Sequence, residues 1–110
     1  MQLSTPRSSD WTSVVSADNA AATATRAAAG VGISHYITSV SGGFSSTKNG
    51  ITLILKNGTV EMARWYVYDS KEITFGSPIK LPPNTVANLV LAASGGGGVS
   101  GTAVLTGYSI

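Results

Sequence analysis

The chain has 110 residues, and its seven basic and five acidic side chains give a net charge of +2. This length fits one domain, the absence of cysteine excludes disulfides and thiolate metal sites, and a single histidine excludes His-rich metal centres. Two excess charges are too few for a nucleic-acid interface, and no stretch approaches the roughly 18 apolar residues of a membrane span. We therefore expect neither nucleic acid nor a membrane as a partner.

Residues 1–16 are polar and predict an extended N-terminal arm, followed by a single domain over residues 17–110. No apolar run of a secretory leader is visible at this end, so we expect no signal peptide. A polar arm cannot fold alone and orders only on contact with a partner. Its two candidate partner-binding residues are Arg7 and Trp11, because a buried tryptophan often anchors an interface. The alternative is a frayed terminus.

The segment ADNAAATATRAAA (residues 17–29) is compatible with a helix or a strand. Alanine favours a helix, with Asp18 as its N-cap and Gly30 after its end. The alternation of Thr23 and Thr25 with alanine favours a strand. We predict the strand, because a helix whose apolar side chains are only methyl groups would bury little area.

Residues 33–40, ISHYITSV, alternate with the period of a strand, which places His35 and Ile37 on one face and Tyr36 and Val40 on the other. The pair Gly42-Gly43 predicts a bulge or bend before the strand resumes.

A hairpin is the strongest local prediction. The apolar run ITLILK (51–56) is typical of a strand buried on both faces. Asn57 and Gly58 both tolerate positive φ, so they predict a two-residue type I′ turn. The return strand is TVEMARWYVY (59–68).

This return strand carries the one aromatic cluster, RWYVY. One face of the cluster packs in the core, and the other, with Arg64 and Tyr66, could stack on a sugar ring or a base. Arg64 and Tyr66 are therefore the second pair of candidate partner-binding residues.

Further short strands are predicted over residues 72–75, 79–81, 85–93 and 99–110, with Pro78, Pro82 and Pro83 at edges or turns and a flexible loop at 95–98. Many short strands separated by turn signals indicate an all-β fold, an antiparallel β-sandwich or barrel. Adjacent strand residues face opposite ways, so one of Val104 and Leu105 should face a subunit contact. The predicted core consists of Ile37, Val40, Leu53, Leu55, Trp65, Val67, Leu89, Leu91, Val104 and Leu105.

No motif predicts catalysis or cofactor binding. His35 lies inside a strand and is best interpreted as a structural histidine, and the chain has no G-x-S-x-G elbow. The only glutamates, Glu61 and Glu72, are not placed together, and the glycine run lacks the lysine of a phosphate-binding loop. We predict a protein that is not an enzyme, with no catalytic residue, metal or cofactor.

Five segments, taken in chain order, resemble those of a known family. They are AAAG, ISHYITSVSGGF, the NG turn, ARWYVYDSKEITFGSPIKLPPNT and NLVLAASGGGGVSGTAVLTGY. Together they cover about residues 17–110 and resemble small structural proteins of tailed bacteriophages, of the head-decoration or cement type. The resemblance implies a jelly-roll-like sandwich that forms a homotrimer and clamps the major capsid protein. It also implies synthesis in the bacterial cytoplasm and a final place on the capsid surface of the virion.

Low charge agrees with assembly, since a surface of small neutral residues repels partners weakly. We expect the trimer contact on the small-residue strands and part of the 99–110 strand. The alternative function is a carbohydrate-binding β-sandwich module of a phage fibre or tail, and the exposure of the aromatic rings discriminates between the two.

Overall fold

The computed structural model describes residues 10–46, 48 and 50–110, which form eight strands. The strands are β1 (Asp10–Asp18), β2 (Ala22–Arg26), β3 (His35–Phe44), β4 (Ile51–Asn57), β5 (Val60–Val67), β6 (Ser70–Lys80), β7 (Ala87–Leu91) and β8 (Ser100–Ser109). Among the described residues no helix is long and apolar enough to span a membrane.

Two four-stranded antiparallel sheets pack face to face. The first sheet has the order β1-β8-β3-β6, and the second has the order β2-β7-β4-β5. The chain crosses between the sheets after every strand except β4, which forms a hairpin with β5 in the second sheet. This is the eight-stranded double sheet of a jelly roll, so the predicted all-β, jelly-roll-like sandwich is confirmed.

Strand β1 differs from the predicted arm. It begins at Asp10 and pairs with β8 along its whole length, from Asp10–Tyr108 to Asp18–Ser100. Alternation explains the strand, because Trp11 turns inward while Val14 turns outward. The predicted arm therefore belongs to the sandwich from residue 10 onward, and Arg7 lies outside the described residues.

Strand β2 confirms a strand within residues 17–29. Ala22 and Ala24 face inward and are fully buried, whereas Thr23 and Thr25 face outward. Their methyl groups fit where the two sheets approach each other, which a bulkier side chain would prevent.

A bulge in β3 changes which side chains reach the core. The register to both neighbouring strands shifts between Ile37 and Ser39, so Ile37 and Val40 are both buried although three positions apart. The predicted bulge at Gly42-Gly43 is wrong, because both residues stay in regular register with Ala103 and Thr102.

The hairpin forms one residue later than predicted. Asn57 pairs with Val60, which leaves Gly58 and Thr59 as the two turn residues. Gly58 has a φ of 63°, and only Gly58 of this pair has a positive value. Positive φ at the first turn position alone is the pattern of a type II′ turn, not of type I′.

Strand β6 joins two segments that were predicted separately. Pairing with β3 runs from Ser70 to Thr74 and resumes at Ile79, so residues 75–78 form an unpaired bulge that contains Pro78. An edge strand tolerates this proline because its missing N–H costs no ladder hydrogen bond.

Eight of the ten predicted core residues are fully buried. The exceptions are Trp65, which packs against the core but is only partly buried, and Val104, which lies on the outer face next to the buried Leu105. The prediction missed Trp11 and Leu81, and four small residues that close the core, namely Ala22, Ala24, Ala87 and Ala103.

Candidate interaction surfaces

Trp11 belongs to the core and is not an exposed anchor. Its side chain is only 7% exposed, and its ring meets the His35 ring edge-on at a centroid distance of 5.5 Å. The indole Nε1–H donates a 2.9 Å hydrogen bond to Ser109 Oγ. The Arg26 guanidinium lies 5.3 Å from the ring centroid. The predicted role of Trp11 in partner binding is corrected by this burial.

Hydrogen bonds hold the buried His35 ring at both of its nitrogen atoms. Its Nε2 lies 2.7 Å from the Ala27 carbonyl oxygen, which can only accept, so Nε2 carries a proton. Its Nδ1 lies 2.6 Å from Ser109 Oγ. Both ring nitrogens of His35 therefore have a hydrogen-bond partner within the fold. His35 is structural, as its sequence position predicted.

Arg64 and Tyr66 are brought together on the outer face of the second sheet. The register between β4 and β5 shifts at Leu55–Lys56, and Met62 is the extra residue. This bulge places Glu61 and Arg64 on one face, although residues three apart in a regular strand face opposite ways. Arg64 Nη2 and Nε then lie 2.7 and 3.2 Å from the two Glu61 carboxylate oxygens.

The ion pair shifts the pKa values of both side chains. The hydrogen bond from Arg64 lowers the pKa of the Glu61 carboxyl, and its charge acts in the same direction. Glu61 and then Tyr66 hold the pKa of the Arg64 guanidinium above its ordinary value. Both side chains are solvent-exposed, so the pair orients Arg64 more than it stabilises the fold.

Two tyrosine rings are exposed in this part of the chain, and Tyr66 lies next to Arg64. Tyr66 is 52% exposed and Tyr68 is 59% exposed. The cluster therefore offers planar rings and a guanidinium to a partner. An exposed ring beside a polar group is what a carbohydrate-binding module requires, so ring exposure favours that alternative at this cluster. Tyrosine and arginine are also favoured in protein contacts.

The two long sides of the sandwich are closed to different degrees. At the β1–β2 side, Ser13 Oγ donates a 3.0 Å hydrogen bond to the Thr25 carbonyl, and Arg26 covers Trp11. Among the described strands, β5 and β6 have no approach comparable to that of β1 and β2. Trp65 and Phe75 span that side at a centroid distance of 6.2 Å, and both rings are only partly buried.

Five of the eight partly buried apolar residues that pack against the described core lie at the β5–β6 side. Besides the two rings, three apolar residues there remain partly exposed, namely Ala63, Ile73 and Ile79. Another protein surface placed on this side would finish their burial, and burial of apolar surface is the main driving force for association.

The described part of the chain contains no group of three or more His, Cys, Asp or Glu side chains that could hold a metal ion. The chain matches no protein-family model, and a search of the curated proteins found no match.

Proposed function

We propose that the chain is a structural protein of a tailed-bacteriophage virion, a decoration or cement protein that stabilises the head by binding the major capsid protein. The observation that supports this proposal is that the sandwich is less tightly closed at its β5–β6 side. Trp65, Phe75 and Ile73 are only partly buried there. A surface of this kind serves assembly and requires no chemistry. The jelly-roll topology fits the fold that the resemblance implies.

We place the homotrimer contact at the β5–β6 side. Strand β8 has both edges paired, so only its outer face is available to another subunit. The outer face of β2 presents Thr23 and Thr25, which offer little apolar area. The β5–β6 side offers more, with Met62 exposed on the edge strand next to the partly exposed core.

Light scattering of two matched variants tests this contact. We expect a wild-type molar mass three times the 11.2 kDa of the chain. Met62→Glu should reduce it to the monomer value, because an unpaired carboxylate buried in a contact is unfavourable. Val14→Glu, at a more exposed position on the far side of the sandwich, should leave the trimer intact. A monomeric wild type at micromolar concentration would refute the trimer, and a trimeric Met62→Glu variant would refute the contact.

Capsid attachment is tested with phage particles that lack the protein. Deleting residues 1–9 leaves β1 complete, so we expect an unchanged far-ultraviolet circular dichroism spectrum and oligomer mass. We expect lower occupancy on the particles, because Arg7 and its neighbours would no longer contribute to attachment. Equal decoration by the shortened chain would show that residues 1–9 play no part, and a full chain that never binds particles would refute the proposed function.

Carbohydrate binding is the second candidate, favoured by the exposed ring of Tyr66 next to Arg64 and by the exposed ring of Tyr68. On this hypothesis the module belongs to a fibre or tail. Retention of the full chain on immobilised polysaccharide, its loss in Tyr66→Ala, and no binding to particles would support it over the capsid role.

A further inference from the structure

The junction of β4 with its hairpin turn contains a chemically labile pair of residues. Asn57 is followed directly by Gly58, and the Gly58 backbone nitrogen can attack the side-chain carbonyl carbon of Asn57. A new C–N bond then closes a succinimide ring, and the Gly58 amide proton leaves with the side-chain nitrogen as ammonia. Water opens the ring to aspartate or isoaspartate. Glycine favours this attack because it has no Cβ to hinder the approach.

The fold holds the attacking nitrogen away from its target. Asn57 pairs with Val60 of β5 and with Ala87 of β7, so both neighbouring strands keep its backbone extended. Attack requires rotation about the Asn57 Cα–C bond, which would break this pairing. The Gly58 N–H also donates a 2.8 Å hydrogen bond to the Val86 carbonyl oxygen. Because the reaction needs this nitrogen without its proton, a hydrogen bond that favours the protonated form disfavours the reaction.

Two side-chain hydrogen bonds hold the carbonyl group of Gly58. Asn88 Nδ2 donates a 3.1 Å hydrogen bond to the Gly58 carbonyl oxygen. Thr25 Oγ1 of β2 donates a 2.8 Å hydrogen bond to Asn88 Oδ1, which turns the amide nitrogen of Asn88 toward the turn. Gly58 is therefore bonded through both its N–H and its C=O to residues in or next to β7, and its nitrogen is released only when the turn separates from that strand.

Such a separation is possible without unfolding of the sandwich. Gly58 is half-buried, and Thr59 and Val60 are exposed, so opening the turn brings little apolar surface into water. The nearest fully buried residue of β4 is Leu55, which stays in the core. Local openings of this kind cost less free energy than global unfolding.

We propose that Asn57 is a deamidation site that β7 keeps unreactive, so that it converts to aspartate or isoaspartate only when the hairpin turn has separated from that strand. Closing the turn again does not restore the original residue. Isoaspartate lengthens the backbone by one carbon atom, and aspartate adds a carboxylate at a half-buried position. The inference goes beyond the proposed capsid attachment and does not depend on it.

Tryptic peptide mass spectrometry of the full chain, after incubation at mildly alkaline pH, measures the reaction. The peptide over residues 57–64 contains Asn57 as its one asparagine, so the mass gain of an amide-to-acid exchange reports this residue alone. We expect the folded chain to react at least about tenfold more slowly than the same chain unfolded in urea. Asn88→Ala removes the hydrogen bond to the Gly58 carbonyl and should accelerate the reaction of the folded chain about threefold or more.

Val40→Ala is the control for a general loss of stability. Val40 is buried in the first sheet, so its truncation lowers the free energy of unfolding but leaves the contacts of the turn intact, and the rate should not change. If Asn88→Ala fails to fold, Thr25→Val replaces it, because this variant removes only the hydroxyl that orients Asn88.

Three results would overturn the inference. In the first, the folded and unfolded wild-type chains react equally fast. In the second, the folded variant that loosens the turn, Asn88→Ala or its replacement Thr25→Val, reacts as slowly as the wild type. In the third, Val40→Ala accelerates the reaction as much as that variant does. Oligomer mass and particle binding are measured separately, so either proposal can fail without the other.

Discussion

Replacing Ser109 by alanine tests the hydrogen-bond network that joins β1, β3 and β8. The hydroxyl accepts from Trp11 Nε1 at 2.9 Å and lies 2.6 Å from His35 Nδ1. Its removal leaves both nitrogen atoms without that partner, in a place where His35 is 1% exposed. Each buried polar group without a partner costs about 1–3 kcal/mol. We therefore expect Ser109→Ala to lower the free energy of unfolding by about 2–4 kcal/mol.

Urea denaturation at fixed protein concentration measures this loss. With a slope of about 1.5 kcal/mol per molar urea, a loss of about 3 kcal/mol moves the midpoint by about 2 M. Ser16→Ala is the matched control, because that hydroxyl also bonds a side chain across the β1–β8 ladder, Thr102 Oγ1 at 2.6 Å, but in an exposed place. It should change stability by less than about 0.5 kcal/mol.

The reasoning fails if Ser109→Ala and Ser16→Ala have equal and small effects. That result would mean that water replaces the Ser109 hydroxyl, or that the network contributes nothing net. Ser109→Thr retains a hydroxyl and should recover most of the lost stability. An equal loss in Ser109→Thr would attribute the effect to packing and not to hydrogen bonding.

Three further outcomes follow from the packing and the ion pair. Gly107→Ala should lower the melting temperature and reduce the free energy of unfolding by about 1–3 kcal/mol or more. The reason is that the new methyl group would lie 3.0 Å from Trp11 Cζ2 and would clash with the Tyr36 carbonyl oxygen. Leu53→Ala should cost about 2–5 kcal/mol in denaturant melts, since Leu53 is fully buried, and an unchanged midpoint would contradict the core assignment. The Glu61 carboxyl should titrate below its ordinary pKa of 4.5 in NMR spectra and return toward it in Arg64→Met. Because folding lowers this pKa, the pair's small contribution to stability is present above the ordinary value and is lost as the pH falls through the lowered one.

Local sequence patterns were sufficient for most of the strands. Alternation predicts an inward Ile37, and the asparagine–glycine pair predicts a reversal close to residue 58, because each signal depends on neighbours within a few residues. The threonine–alanine alternation likewise favoured a strand over a helix. The turn itself moved by one residue, since the pairing of Asn57 with Val60 decides which two residues lie in the loop.

The candidate binding residues were less predictable. Arg64 and Tyr66 are exposed and adjacent, as alternation in RWYVY predicts, but the ion pair with Glu61 needs the bulge at Met62. The stacked rings of Tyr36 and Tyr108 were not predicted at all. The two residues come from strands far apart in sequence, and only register sets them side by side.

By itself, the sequence determined the class of structure: one small antiparallel β-sandwich with a low charge and a core of branched aliphatic side chains. Only the tertiary structure decided the place of Trp11, whose polar neighbours suggested an arm, because burial required β8 and His35 to complete its surroundings. The tertiary structure also decided how Val40, predicted in the core, faces inward together with Ile37, through the bulge after Ile37. In both cases a single residue of register reverses the face of a side chain, and register is set by partner strands that lie tens of residues away.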